Sequence, residues 1–283
     1  MGKQIIAIMY DFDRTLATED MQNFGFIKDM GLTPEQFWKK TQEFCSNYDV
    51  DKILGYMYMM IKTAKEKGIA LTREYLYSTG KLIKFYDGVT TWFKRINEYA
   101  SNRGLIVEHY LITSGNKEII EGTSIAKEFK QIFGCEYLYD EDTKLAYWPK
   151  TMINYTQKTQ YVFRISKGAI TDNDDKKVNE KTVHRRIKYE NMIYLGDGLT
   201  DVPGMIVVKQ NEGHSIAVYP KGMRDKVSSL FEDGRVDYIA KADYSINGEL
   251  EKIVHLIIDS ISIRTQLDSR QEKTKASLWS MVY

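Results

Sequence analysis

Residues 10–16 read Tyr-Asp-Phe-Asp-Arg-Thr-Leu and directly follow the apolar run Ile5, Ile6, Ala7, Ile8, Met9. Asp11 and Asp13 therefore stand at the end of what reads as a buried strand. Chains seldom bury charge without a partner, so the pair implies a bound cation or a reaction that uses both groups. Side chains alternate along extended backbone, which points Asp11 and Asp13 the same way. One can attack while the other handles a proton, a division of labour suited to phosphoryl transfer.

Two further apolar runs end in polar groups of the same kind. Thr113, Ser114, Gly115 and Asn116 follow residues 106–112, and Gly196-Asp197-Gly198-Leu199-Thr200-Asp201 follows residues 192–195. Between them lies Thr156-Gln157-Lys158-Thr159, a lysine at an expected helix start. Taken singly, each is an ordinary turn, helix entry or solvated side chain. Their joint order, each after an apolar strand, argues for one site, because open α/β sheets bind ligands beyond the carboxyl ends of their strands.

The elements that must position these groups follow from periodicity. Strands and helices alternate over residues 86–260, which predicts a doubly wound, Rossmann-like, mainly parallel α/β sheet. From residue 17 to about 85 the pattern is helical instead. Phe24, Ile27, Met30, Phe37, Thr41, Phe44, Leu54, Tyr58 and Ile61 recur at helical spacing. Pro34 after Thr33 suits a helix start, and Gly31 and Gly68 suit helix ends. The expected organisation is a core from residues 1–16 and 86–260, an α-helical cap domain at 17–85, and a tail or final helix at 261–283. A helix is expected over residues 117–130, β-prone segments around a turn at Asp140-Glu141-Asp142, and a loop over 171–190.

Composition narrows the function classes. The 283 residues carry 40 basic and 39 acidic side chains, a net charge of +1, with 43% hydrophobic residues. That balance disfavours a nucleic-acid or membrane partner. The cluster Lys181, His184, Arg185, Arg186, Lys188 sits beside Asp172, Asp174, Asp175 and Glu180 and reads as a solvated loop. No run is long enough to span a bilayer, and no signal peptide is expected. Cys45 and Cys135 lack ligand spacing and read as reduced thiols of a cytoplasmic protein.

Asp11-Phe12-Asp13-Arg14-Thr15, Ser114, Lys158 and Gly196–Asp201 together resemble the four ordered motifs of the haloacid dehalogenase superfamily. The Asp-x-Asp-x-Thr form is that of its phosphatases, and Ser114-Gly115 is similar to the phosphoserine-phosphatase branch. The resemblance implies a magnesium-dependent phosphatase that acts on a small phosphorylated metabolite through an aspartyl-phosphate. It implies Asp11 as nucleophile and Asp13 as general acid and base. It places Mg2+ on Asp11, the backbone carbonyl of Asp13, Asp197 and, directly or through water, Asp201. Lys158 would neutralise phosphate and restrain Asp11, and Ser114 and Gly115 would bind phosphoryl oxygens, with Gly115 and Gly198 letting backbone come close. A phosphotransferase or mutase, and a catalytically idle binding module, are the alternative readings.

Arg14 beside the cap, and Glu19, Asp20, Gln22, Trp38 and Tyr56 within it, are candidates for substrate recognition. Arg14 and Glu19 lead because they lie near the nucleophile, whereas Trp38 and the residues 55–60 read as core. His109 reads as structural. At the second motif, strand alternation lets only one hydroxyl face phosphate, and Ser114 is expected rather than Thr113, with Asn116 capping the helix that follows.

Overall fold

A computed structural model describes residues 3–171, 174–181 and 185–279. Asp172 and His184 of the charged loop, and the last four residues of the tail, lie outside the described residues. Seven strands form one sheet: β1 (Ile5–Tyr10), β2 (Ile106–Asn116), β3 (Gln131–Tyr139), β4 (Ala146–Thr151), β5 (Met192–Gly196), β6 (His214–Tyr219) and β7 (Tyr238–Lys241). Their order is β4-β3-β2-β1-β5-β6-β7, and every pairing is parallel except β3 with β4. The architecture is the Rossmann-like α/β sandwich expected from the alternation.

Topology explains where the polar strand ends meet. The chain builds outward from β1 through β2 to β3, then returns to lay β5 on the other side of β1. The order reverses at β1, so the carboxyl ends of β2, β1 and β5 stand side by side around a crevice. β1 and β5 are almost wholly buried and apolar up to that edge, and β2 is buried from His109 to Thr113, as strands covered on both faces require.

Helices α1 (Phe26–Asp29), α2 (Pro34–Tyr48), α3 (Lys52–Glu66) and α4 (Arg73–Thr79) fall between β1 and β2, preceded by a 3-10 turn at Met21–Asn23. Thr33 caps α2 through a capping box with Gln36, and Pro34 opens the helix. The chain leaves and re-enters the core along one stem: Thr18 N donates to Lys84 O (2.9 Å) and Tyr86 N to Leu16 O (3.0 Å). The helical segment rests on the core at several points. Arg73 pairs with Glu121, Tyr137 Oη donates to Met57 O (3.0 Å), and Tyr56 Oη donates to Ser114 O (2.7 Å).

The core helices are α5 (Val89–Ser101), α6 (Lys117–Glu121), α7 (Tyr155–Lys167), α8 (Asp175–Asn179), α9 (Val202–Gln210), α10 (Asp225–Glu232) and α11 (Glu249–Trp279). Three expectations need correction, and one alternative is decided. Strand β2 does not stop at residue 112 but runs through Asn116, resuming its pairing at Cys135 after a register shift. The helix expected over 117–130 ends at Glu121, where Gly122 follows and Thr123 Oγ1 turns back to Ile120 O (2.7 Å). The loop over 171–190 contains α8 and a 3-10 turn at Tyr189–Asn191. Residues 249–279 form one helix, α11, held by buried Leu250, Val254, Ile257, Ile258 and Ile261. In the charged loop, Arg186 forks onto Glu108 (2.7 and 2.6 Å) and Lys188 meets Glu190 (3.2 Å).

Candidate active site

The crevice gathers Asp11, Asp13, Arg14, Asp20, Thr113, Ser114, Lys158, Asp197, Gly198, Leu199 and Thr200 around a cavity of about 350 Å³. Asp11 continues the β1 ladder, its N–H donating to Leu195 O (2.9 Å). The turn after it closes through N–H donors of Thr15, Leu16 and Ala17 to Phe12 O, with Arg14 in the left-handed region at φ 58°. Phe12 is fully buried, which anchors the turn and leaves its neighbours Asp11 and Asp13 facing the crevice.

Lys158 is the centre of the electrostatics. The capping box of Asn154 and Gln157 starts α7 and places Lys158 in its first turn, 1% exposed. Its Nζ donates to Asp11 Oδ1 (2.7 Å), Asp201 Oδ1 (2.8 Å) and, at 3.4 Å, Thr200 Oγ1. Burial alone would lower the ammonium's pKa, but Asp11 and Asp201 outweigh it and raise the value. Tyr194 Oη donates to the same Asp201 Oδ1 (3.0 Å), so the other Asp201 oxygen is buried with no hydrogen-bond partner.

One oxygen from each of Asp11, Asp197 and Asp201 lies within 4.8 Å of the others. Several carboxylates face one lysine here. Burial, then Asp11 and Asp201, push Asp197 up to about 8. Burial and Asp11 push Asp201 up to about 6, against the pull of Lys158. Asp13 is raised well above the usual carboxylate range by burial, Asp20 and Asp11. A divalent cation among these groups would reverse that logic.

Asp13 is not part of the oxygen cluster. Its Oδ1 accepts from Met21 N (2.8 Å), which turns the carboxyl toward the helical segment. A Cβ on Gly115 would lie 2.0 Å from Met21 Cε, the end of a flexible side chain, and 3.2 Å from Asp13 Oδ2, so the glycine leaves room for both. Ser114 Oγ is buried without a partner, whereas Thr113 Oγ1 accepts from Gly115 N (3.0 Å). Both residues line the crevice, and Ser114 has the uncommitted hydroxyl.

Other expectations are revised by this geometry. Glu19 is exposed, accepts from Asn23 Nδ2 (3.2 Å) and lines neither cavity near the site; Asp20 lies there instead, held by the Arg14 guanidinium (3.1 and 2.8 Å). A Cβ on Gly198 would meet nothing within 4 Å, while one on Gly196 would lie 2.5 Å from Asp201 Cγ, so the close approach belongs to Gly196. Asn116 precedes α6 without capping it, because its Oδ1 accepts from Gln22 Nε2 (3.0 Å). Trp38 and Tyr56 are packed as expected, yet both also line a second cavity beside the first. Tyr194 escaped sequence reading because a phenol inside an apolar strand looks like core.

Solved structures were compared with this geometry. A haloacid dehalogenase family hydrolase from Salmonella enterica serovar Typhi superposes with a TM-score of 0.60 at 15% identity, covering 91% of this chain and 72% of its own. A probable phosphoserine phosphatase from Vibrio cholerae gives 0.60 at 10% identity, covering 93% and 67%. The chain has the haloacid dehalogenase fold. A phosphoserine phosphatase solved as a phospho-aspartyl intermediate analogue shares that fold with a TM-score of 0.54 at 17% identity, over 89% of this chain and 98% of its own. In sequence, an uncharacterized protein of Borreliella burgdorferi is 25% identical over 271 residues, 86% of this chain and 93% of its own. No protein-family model matches the chain.

Proposed function

We propose that this protein is a magnesium-dependent phosphatase that hydrolyses a small phosphomonoester through an aspartyl-phosphate on Asp11. The observation that carries the reading is the Lys158 bridge between Asp11 and Asp201, beside a second aspartate, Asp13, oriented by a backbone amide. A carboxylate held by one oxygen keeps the other for attack. Asp11 would displace the ester oxygen at phosphorus, and Asp13 would give its proton to the departing alcohol. Asp13 would then take a proton from the water that opens the acyl phosphate, releasing phosphate and restoring Asp11. Such proton transfer is worth roughly 10²–10⁴-fold. Lys158 and the free hydroxyl of Ser114 would hold phosphoryl oxygens, and most of the remaining acceleration comes from positioning and charge neutralisation.

The donor set fits magnesium. Every candidate ligand is an oxygen, and the buried, unpartnered Asp201 oxygen belongs to a cluster with excess negative charge. Asp11, Asp197, Asp201 and the backbone carbonyl of Asp13 would hold the ion. Bound there, it would offset charge on the transferring group. Residues 17–85 would act as a cap over the crevice, a gating role that excludes water. No helix among the described residues is long and apolar enough to cross a membrane. The two unpaired cysteines, Cys45 and Cys135, support a reducing, cytoplasmic setting.

The test is phosphate release from a panel of phosphorylated metabolites with magnesium, with chelator, and with Asp11→Asn. The reading expects magnesium-dependent release that Asp11→Asn abolishes without a change in circular dichroism. Near wild-type turnover by the variant, or full activity after chelation, contradicts it.

A further inference from the structure

Next to the charged crevice, and sharing Asp13, Asp20 and Ser114 with it, lies a second cavity of about 280 Å³. Its walls come mostly from the helical segment. Trp38 and Tyr56 meet edge to face at 6.1 Å and form an aromatic corner. Gln22, Thr41, Gln42 and Tyr155 supply neutral polar groups. The formal charges are few: Asp20 is already held by Arg14, and Lys52 is exposed at the rim.

Gln22 is the most informative wall residue. It is 2% exposed, and its amide is tied to Asn116 across the interface between helical segment and core. Its Oε1 is buried without a partner, whereas the Asn116 side chain also reaches Tyr137. Turning both amides together exchanges their roles and still leaves one unpartnered edge on Gln22. A buried polar group of this kind is costly unless something bonds it. A hydroxyl, donor and acceptor at once, satisfies either edge.

We propose that this cavity binds the alcohol half of the substrate, and that the alcohol is neutral and hydroxyl-rich, a polyol or a single sugar. The inference rests on the phosphatase reading above. Three features support this class over an amino acid. The cavity has no arginine in its wall to take a carboxylate, and its one carboxylate besides Asp13 is already paired. Neutral amides and hydroxyls match ligand hydroxyls one for one. An aromatic corner packs against the C–H faces that such a ligand presents between its hydroxyls. The ester oxygen would sit where the cavities join, between Asp13 and Ser114.

The experiment compares kcat/KM for glycerol, erythritol and hexose phosphates with that for phosphoserine, and with methyl phosphate, which is too short to fill the cavity. The magnesium-loaded full chain is used throughout. The proposal expects a polyol or sugar phosphate to exceed both comparators. It also expects Gln22→Leu, and separately Trp38→Leu, to cut the preference for that substrate over methyl phosphate by about 10-fold, the scale of one lost hydrogen bond. Hydrolysis of methyl phosphate with phosphoserine preferred over every polyol overturns the substrate class and leaves the phosphatase reading standing. Two folded variants with unchanged preference also overturn it. If no phosphomonoester is hydrolysed, both readings fall together.

Discussion

The two neighbouring cavities share three residues and differ in almost every other respect. The crevice at the strand ends is charged, and its polar atoms are fixed by short bonds among Lys158, Asp11, Asp201 and Tyr194. The cavity against the helices is close to neutral, aromatic, and has a buried amide with an unpartnered edge. Charge that stabilises a transferring phosphoryl group can be installed once, on rigid strands, and serve any ester. Recognition of the alcohol needs only shape and a few neutral bonds, and in the proposed reading the helical segment supplies them.

The strongest way to break this contrast is to remove the ammonium. Lys158→Met would strand Asp11 and Asp201 as buried, unpaired carboxylates, and loss of one partner from a buried pair costs on the order of 3–5 kcal/mol. Thermal unfolding should show a large loss of stability that magnesium partly restores, together with loss of turnover. A variant as stable as the parent in chelator would show that the cluster is not held as described.

Ser114→Ala probes the shared wall. Losing one charge-assisted hydrogen bond to phosphate costs roughly 1.5–3 kcal/mol, so kcat/KM should fall by more than in Thr113→Val. If Thr113→Val is the more damaging change at equal stability, the phosphate ligand is Thr113.

A third prediction uses a buried group with no opposite charge. Trp92 Nε1 donates to Tyr10 Oη (2.9 Å), Tyr10 bonds His109 Nδ1 (3.0 Å), and His109 Nε2 bonds Asn97 Oδ1 (3.1 Å). The set is complete with neutral His109 protonated on Nε2. Burial lowers its pKa to about 3, far below the unfolded value near 6.5. As pH falls the unfolded chain takes the proton first. The stability from this site is therefore full above about pH 6.5 and declines between 6.5 and 3, by about 1.4 kcal/mol per pH unit. Buried carboxylates titrate in the same window, so denaturant titrations should show a slope in the parent that exceeds that of His109→Gln by about this amount. An identical slope in both would remove His109 as its source.

The smallest expected effect is that of Tyr194→Phe, which deletes one bond to Asp201 and keeps the ring. Magnesium binding measured by calorimetry without substrate should weaken about 5–10-fold, the equivalent of roughly 1 kcal/mol. Unchanged affinity would show that Lys158 alone orients Asp201.

The charged half of the comparison was legible in the sequence for a physical reason. Asp11, Asp13 and Asp197 stand out because they interrupt or end runs that are otherwise apolar, and topology then has little choice but to bring such ends together. The helical character of residues 17–85 was equally plain from its period. The neutral half was legible only in part: Gln22, Trp38 and Tyr56 were among the candidates, but the contacts that place them were not. Gln22 meets Asn116 across 94 positions, and Tyr56 reaches Ser114 across 58. Nothing local marks either contact, and an aromatic that lines a cavity on one side and packs on the other has the pattern of a core residue. Glu19 and Asp20 are adjacent acids in a turn, and only the fork from Arg14 distinguishes them. The extension of β2 through Asn116 was hidden because its last residues are polar and its pairing is interrupted between Ile112 and Asn116.

The central claim is that Asp11 is the residue that takes the phosphoryl group. Its most direct test is to mix enzyme, magnesium and a hydrolysed phosphomonoester, quench in acid within the turnover time, reduce the acyl phosphate with borohydride, and map the product by peptide mass spectrometry. The account predicts conversion of Asp11 to homoserine, and of no other carboxylate, in the active enzyme, with no conversion in Asp11→Asn. Labelling at Asp13, Asp197 or Asp201, or steady turnover with Asp11 unmodified, would contradict it.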